Sequence, residues 1–217
     1  MKKSFVIGLM VIGVTAPAAL AQPADIVTIG SGTQSGYQIT VPIFIRDTSG
    51  TPLGIDQPSG SRIQSYSIKV NYAPSASITS VTLTRAGITS PLTPTFESTP
   101  SSPGTISLLD TFNESTNLIP FTLNAAVPGN QVAKLVFTFA SNTPDGTTVS
   151  LTLDPTLTQL SNQAGTTNET TTSANLLLVN SSITFQTAIA AAVPTLDWRI
   201  LLLLAAVLGW IGMRVAR

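Results

Sequence analysis

The chain has 217 residues, 43% of them hydrophobic and only 9% charged, with 10 Lys and Arg balancing 10 Asp and Glu and with no cysteine or histidine. Those counts exclude a disulfide framework, a thiolate nucleophile, Cys- or His-ligated zinc, Ser-His-Asp catalysis and a histidine proton shuttle. The zero net charge hides a split, because Lys2, Lys3, Arg214 and Arg217 stand at the two ends; the mildly acidic middle, with Arg46, Arg62, Lys69, Arg85 and Lys134 dispersed along it, offers no basic patch, so nucleic acid is not an expected partner.

The first segment reads as an address. Met1, Lys2 and Lys3, an apolar run over residues 5–14, and Ala19-Leu20-Ala21 are the charged, apolar and small-x-small parts of a secretory signal peptide. This predicts a signal helix in residues 1–21, cleaved at the step marked by Ala19 and Ala21, and a mature chain from Gln22; an uncleaved N-terminal anchor is the alternative. The roughly 170 residues that follow are enough for one domain with its own core, predicted here over residues 22–187. Its polar surface is built from Ser, Thr, Asn and Gln, a composition compatible with glycan contacts or O-glycosylation.

Strand patterns dominate that middle. In YQITVPIFI, Tyr37, Ile39, Val41, Ile43 and Ile45 share one parity while Gln38, Thr40 and Pro42 take the other, a half-buried strand. Pro42 has no N–H for a ladder, which predicts an edge or a bulge. YSIKVNY repeats the alternation with Tyr66, Ile68, Val70 and Tyr72 inward, and residues 77–83 are its expected partner. VAKLVFTF places Leu135, Phe137 and Phe139 on one face; a Pro-Asp-Gly loop then leads to Val149, Leu151 and Leu153, predicting a paired hairpin. Weaker strands are expected at residues 25–29, 105–110, 120–124, 175–179 and 182–186. Two Pro/Ser/Thr/Gly-rich stretches, residues 48–61 and 88–104, read as end loops. No long amphipathic helix precedes the tail, so the fold class is all-β, a two-sheet antiparallel sandwich of about nine strands.

Carboxylates are the chemistry that remains: Asp25, Asp47, Asp56, Glu97, Asp110, Glu114, Asp145, Asp154 and Glu169. A glycosidase needs two of them facing each other across about 5–9 Å, and no pair announces itself; most lie beside turns and read as solvated caps. No catalytic residue and no cofactor is therefore expected, and the chain is not expected to be an enzyme. One ion could be served: DTSGTPLGID, residues 47–56, could close around Ca2+, although it matches no EF-hand spacing. The glycosylation triplets at Asn113, Asn168 and Asn180 fit surface loops or edges.

The tail over residues 188–217 begins with a small-residue spacer. The uncharged run from 200 to 213 spans only roughly 21 Å as a helix at about 1.5 Å per residue, against a hydrocarbon core of about 30 Å. It crosses if Trp198 and Arg199 lie at one interface and Arg214 and Arg217 snorkel at the other. A buried core helix would show a polar face, and this run has none. A proline just outside the span holds the chain extended. A plain anchor and a sorting label remain the leading readings.

Two resemblances follow from these residues. GYQITVPIFIRD, IQSYSIKVNYAPS with its Tyr72-Ala73-Pro74 step, ITSVTLTRAGI, TISLLD and VAKLVFTFASNTPDGTTVSLTL, taken in order, resemble the cohesin-like domain. That resemblance implies a nine-stranded jelly-roll sandwich that binds a partner non-catalytically through a flat sheet face; a sandwich face or the two long loops would contact a protein or polysaccharide. Val193, Pro194, Thr195 and Leu196, with Trp198, the apolar span and the basic end, resemble the IPTL-CTERM sorting signal. This implies an exosortase-type enzyme as partner, and a precursor anchored in the inner membrane that ends at the cell surface or outside. Together these imply an envelope-anchored or surface-sorted binding or structural module. The alternatives are a carbohydrate-active hydrolase using an Asp/Glu pair and a subunit of a surface filament.

Overall fold

A computed structural model describes residues 23–187. The signal segment with Ala19 and Ala21, and the tail with Val193, Pro194, Thr195, Leu196, Trp198, Arg199, Arg214 and Arg217, lie outside the described residues. Among the described residues no helix is long and apolar enough to cross a membrane.

The strands, in chain order, are β1 (Asp25–Ile29), β2 (Thr33–Ser35), β3 (Gln38–Arg46), β4 (Ser65–Ala73), β5 (Ile78–Arg85), β6 (Phe96–Ser98), β7 (Ser101–Ser102), β8 (Thr105–Thr111), β9 (Asn130–Phe139), β10 (Thr148–Leu153), β11 (Gln159–Ser161), β12 (Asn168–Glu169), β13 (Leu176–Val179) and β14 (Ser181–Thr184), with one 3-10 turn at Gly87–Thr89. They form an all-β sandwich of two sheets. The first sheet runs β13-β1-β3-β9-β5 with β2 along β3; the second runs β12-β11-β4-β10-β14, with β8 also on β4 and β6 and β7 along β8. The segments beyond the expected strands, β2, β6, β7, β11 and β12, are two- to three-residue pieces.

Period-two alternation drives this architecture. Along β3 the odd residues Ile39, Val41, Ile43 and Ile45 are buried, and along β4 the even residues Tyr66, Ile68 and Val70 are. They meet Ile106 and Leu108 of β8, Leu135 and Phe137 of β9, and Val149 and Leu151 of β10 in one core between the sheets.

Several expectations are corrected. β4 does not pair with β5: it pairs with β8, β10 and β11, while β5 lies on β9 in the other sheet. Nor do β9 and β10 form a hairpin, because the loop between them carries the chain from the first sheet to the second. A period of two fixes which face is buried and leaves the partner open. Residues 120–124 form no strand, and the stretch 88–104 is not wholly irregular, since β6 and β7 within it cover the edge of β8. One pairing is parallel, β1 with β13. After β13 the chain leaves the first sheet at Val179 and enters the second as β14, with Asn180 Oδ1 accepting the Leu153 N–H at 2.8 Å. Tyr37 is not in the core; it precedes β3, is 46% exposed and stacks on Phe185 at 5.9 Å. Tyr72 is half-buried.

Pro42 sits in the interior strand β3 and not at an edge, in register with Lys134 of β9 and one residue before the shift of register between Ile43 and Phe44. In an antiparallel strand the N and O of one residue point the same way, and Pro42 O accepts the Gly30 N–H at 2.8 Å. The missing N–H therefore faces the break between β1 and β2, where no ladder partner is needed. Gly30 is required at that break: a Cβ there would lie 2.7 Å from Phe44 Cε2 and 2.9 Å from Pro42 Cγ.

Candidate functional site

The same parity that buries one side of the second sheet turns hydroxyls and amides outward on the other. β4 presents Ser65, Ser67, Lys69 and Asn71; these register with Thr111, Leu109, Ser107 and Thr105 of β8. On the other side of β4, Thr152 of β10 registers with Asn71, and Ser150 with Ser182 of β14. The result is a broad face of short polar side chains. Leu109 and the half-exposed ring of Phe96, in register with Thr111, are large apolar groups on it, and Lys69 is held 3.4 Å from Asp154. Such a face suits contact with another macromolecular surface, having many small donors and acceptors and little side-chain entropy to lose. The long loop over residues 48–61 contributes Ser59 and Gly60 to a polar hollow with Arg62, Asn113, Glu114 and Gln163.

The acids do not all behave as solvated caps. Some do: Asp154 Oδ1 caps the turn that follows it, accepting the Thr156 and Leu157 N–H groups at 3.0 and 3.2 Å, Asp145 accepts the Thr187 N–H, Glu114 accepts the Gly60 N–H, and Glu97 pairs with Arg85 at 2.8 Å. Asp25, Asp47 and Glu169 are instead 0% exposed. Asp25 opens β1 on its inward parity, and Asp47 continues the inward parity of β3 one step past its end. Glu169 comes from β12 in the opposite sheet, in register with buried Leu160. The three close one end of the core beneath the 48–57 loop. Asp25 Oδ1 accepts the Thr48 N–H at 2.7 Å, Glu169 Oε1 the Leu53 N–H at 2.8 Å, and Asp47 Oδ2 the Ile55 N–H at 2.8 Å. Burial holds all three above the usual carboxylate range, and Glu169 raises Asp25 further. Inward acids at the ends of β1 and β3 break the apolar alternation, and that break was the available signal; two-residue β12 leaves none for Glu169.

A fourth buried acid, Asp110, stands opposite Tyr66 across the β4–β8 ladder. Asp110 Oδ1 and Oδ2, the Tyr66 hydroxyl and both polar atoms of the Gln64 amide have no hydrogen-bond partner of normal geometry. Burial, with Glu97 adding to it and the Tyr66 hydroxyl and Arg85 opposing, pushes Asp110 up to about 6. None of these four acids opens on solvent as a catalytic carboxylate must.

No protein-family model matches the chain, and no curated relative does. Solved structures do. The CaCohA2 cohesin in complex with CaDoc0917 is 18% identical, with a TM-score of 0.53, over 75% of this chain and 100% of that one; CaCohA2 is from Clostridium acetobutylicum. The sixth cohesin of scaffoldin B from Acetivibrio cellulolyticus, bound to the Cel5 dockerin, is 13% identical with a TM-score of 0.51 over 75% and 99% of the two chains. The third cohesin of ScaC from the same organism, bound to the ScaB dockerin, is 18% identical with a TM-score of 0.51 over the same shares. The fold is cohesin-like. At these identities the likeness extends to the sandwich and stops short of its contacts, so the outward face of the cohesin-like domain is assigned no residues from those complexes.

Proposed function

We propose that this protein is an exported, non-catalytic binding module that docks a protein or polysaccharide at the bacterial envelope through the outward face of its second sheet. The observation that carries the reading is that face, broad and hydroxyl-lined on a cohesin-like sandwich. The signal segment and the tail supply the location. Val193, Pro194, Thr195 and Leu196 with Trp198 are the label for an exosortase-type enzyme, Arg199 flanks the outer end of a transmembrane span, and Arg214 and Arg217 hold its inner end. The precursor rests in the inner membrane and its product goes to the cell surface or the medium.

Intact mass of the native product tests the address. A chain beginning at Gln22 and ending near Thr195 supports sorting, and one reaching Arg217 supports a retained anchor. Docking is tested with Leu109→Arg, which puts a long cation in the middle of the face without touching the core. Wild-type protein is expected to bind envelope material from host cells lacking it, and the variant to bind at least roughly tenfold more weakly with an unchanged unfolding temperature. Equal binding by both would overturn docking through this face, and hydrolysis on a glycan panel that one carboxylate substitution abolishes would replace the reading with the hydrolase. The surface-filament reading has one feature in its favour, the edge strand β13 with Leu177 and Val179 exposed; strand donation between chains would pair there.

A further inference from the structure

The loop over residues 47–57 keeps a space open between two carboxylates. Asp47 Oδ1 and Asp56 Oδ1 each approach the same point beside Gly54 to 2.7 Å, the place where any other residue would put its Cβ. Asp47 is wholly buried, its Oδ2 is taken by the Ile55 N–H, and its Oδ1 has no hydrogen-bond partner. Asp56 is exposed and lies on the solvent side of that space. No basic side chain offsets the pair: the ion pairs among the described residues are Arg62 with Glu114, Lys69 with Asp154 and Arg85 with Glu97, and the neighbouring Arg46 donates to Ala125 O instead. A buried carboxylate without a donor, held against a second one, is stable only when a cation or a proton stands between them.

We propose that the 47–57 loop binds one divalent cation of the Ca2+ class between Asp47 Oδ1 and Asp56 Oδ1. Among the described residues no group of three or more acidic, His or Cys side chains is placed to hold an ion by itself. The other ligands this site calls for are uncharged oxygens of the loop, and water. All-oxygen ligation with few charges and several carbonyls is the coordination of Ca2+; Mg2+ keeps most of its water and Zn2+ prefers nitrogen and sulfur. The ion fastens the loop whose Thr48 and Leu53 N–H groups already reach Asp25 on one sheet and Glu169 on the other, so binding tightens the closure of this end of the sandwich.

The test is thermal unfolding of the full-length chain in detergent, stripped with EDTA and then titrated. About 10 mM Ca2+ is expected to raise the unfolding temperature by roughly 5 °C or more, and Mg2+ by less. Asp56→Asn keeps the shape of an exposed side chain and leaves the Asp47 bond to Ile55 intact, so it is expected to unfold at the same temperature as the wild type in EDTA and to lose the Ca2+ response. No rise with Ca2+, an equal rise with Mg2+, or a full rise in Asp56→Asn overturns the proposal.

Discussion

Replacing Phe137 by alanine is expected to lower the unfolding free energy by about 3–5 kcal/mol, read as a fall in the urea midpoint at unchanged slope. The ring is fully buried in β9, in register with Ile39 of β3 on one side and Val81 of β5 on the other. It spans the interior to meet Tyr72 of the second sheet edge-on, centroids 5.6 Å apart and planes at 79°. Ladders on both sides of β9 prevent the strand from sinking into the hole an alanine leaves, so most of the cavity term survives. Phe137→Leu keeps most of the volume and is expected to cost less than about 1.5 kcal/mol. Because a domain has only about 5–15 kcal/mol in hand, the alanine variant should stand close to its unfolding threshold. A loss below about 1 kcal/mol would mean that the sheets do not meet through this ring.

The same contact ties stability to binding. Tyr72 lies near the end of β4, in register with Leu151 of β10, and β4 is the central strand of the hydroxyl-lined face. Phe137→Ala therefore loosens the face from behind, whereas Leu109→Arg disturbs it from the front with stability preserved. Measuring both in one binding assay separates a contact residue from a supporting one.

Inward parity was legible wherever a strand has one buried side, and residues 39–45, 66–70 and 149–153 all take the face their alternation predicts. The partner of each strand was not legible. Residues 77–83 follow β4 closely, yet the chain passes from one sheet to the other between them, and nothing in a period of two records that crossing. As a signal of an edge Pro42 misled for a related reason: its missing donor is harmless in an interior strand when the neighbour breaks at Gly30, a long-range fact. For the acids, Asp25 and Asp47 fall on apolar parities, so their burial was written in the pattern, while their partner Glu169 arrives from more than a hundred residues away. The loop over 47–56 was legible as an oxygen-rich loop; the closeness of its two end carboxylates comes from Gly54 and from the buried seat of Asp47.

Over the pH range from about 4 to 6, stability should fall as pH rises, by about 3 kcal/mol through Asp110 alone. Its carboxyl is pushed from 3.8 up to about 6, chiefly by burial. The groups facing it are the Tyr66 hydroxyl and the Gln64 amide from the β4 side, with Arg85 of β5 and Glu97 of β6, and no hydrogen bond of normal geometry reaches either of its oxygens. The folded protein thus holds this proton more tightly than the unfolded chain does. Below pH 3.8 both states carry the proton and the stabilising difference is fully present; as pH rises the unfolded chain ionises first, and once the folded carboxyl follows near pH 6 the difference is gone. Asp110→Asn keeps the shape and abolishes the charge, so its urea-unfolding free energy should lack this portion of the slope, leaving it relatively more stable than the wild type at pH 7 and not at pH 4. Parallel slopes for the two proteins would show that the folded carboxyl ionises as an exposed one does. The Tyr66 hydroxyl opposes that upward shift, so Tyr66→Phe is expected to carry the Asp110 midpoint to higher pH, whereas a carboxyl that ionises as an exposed one does would leave the profile of Tyr66→Phe unchanged.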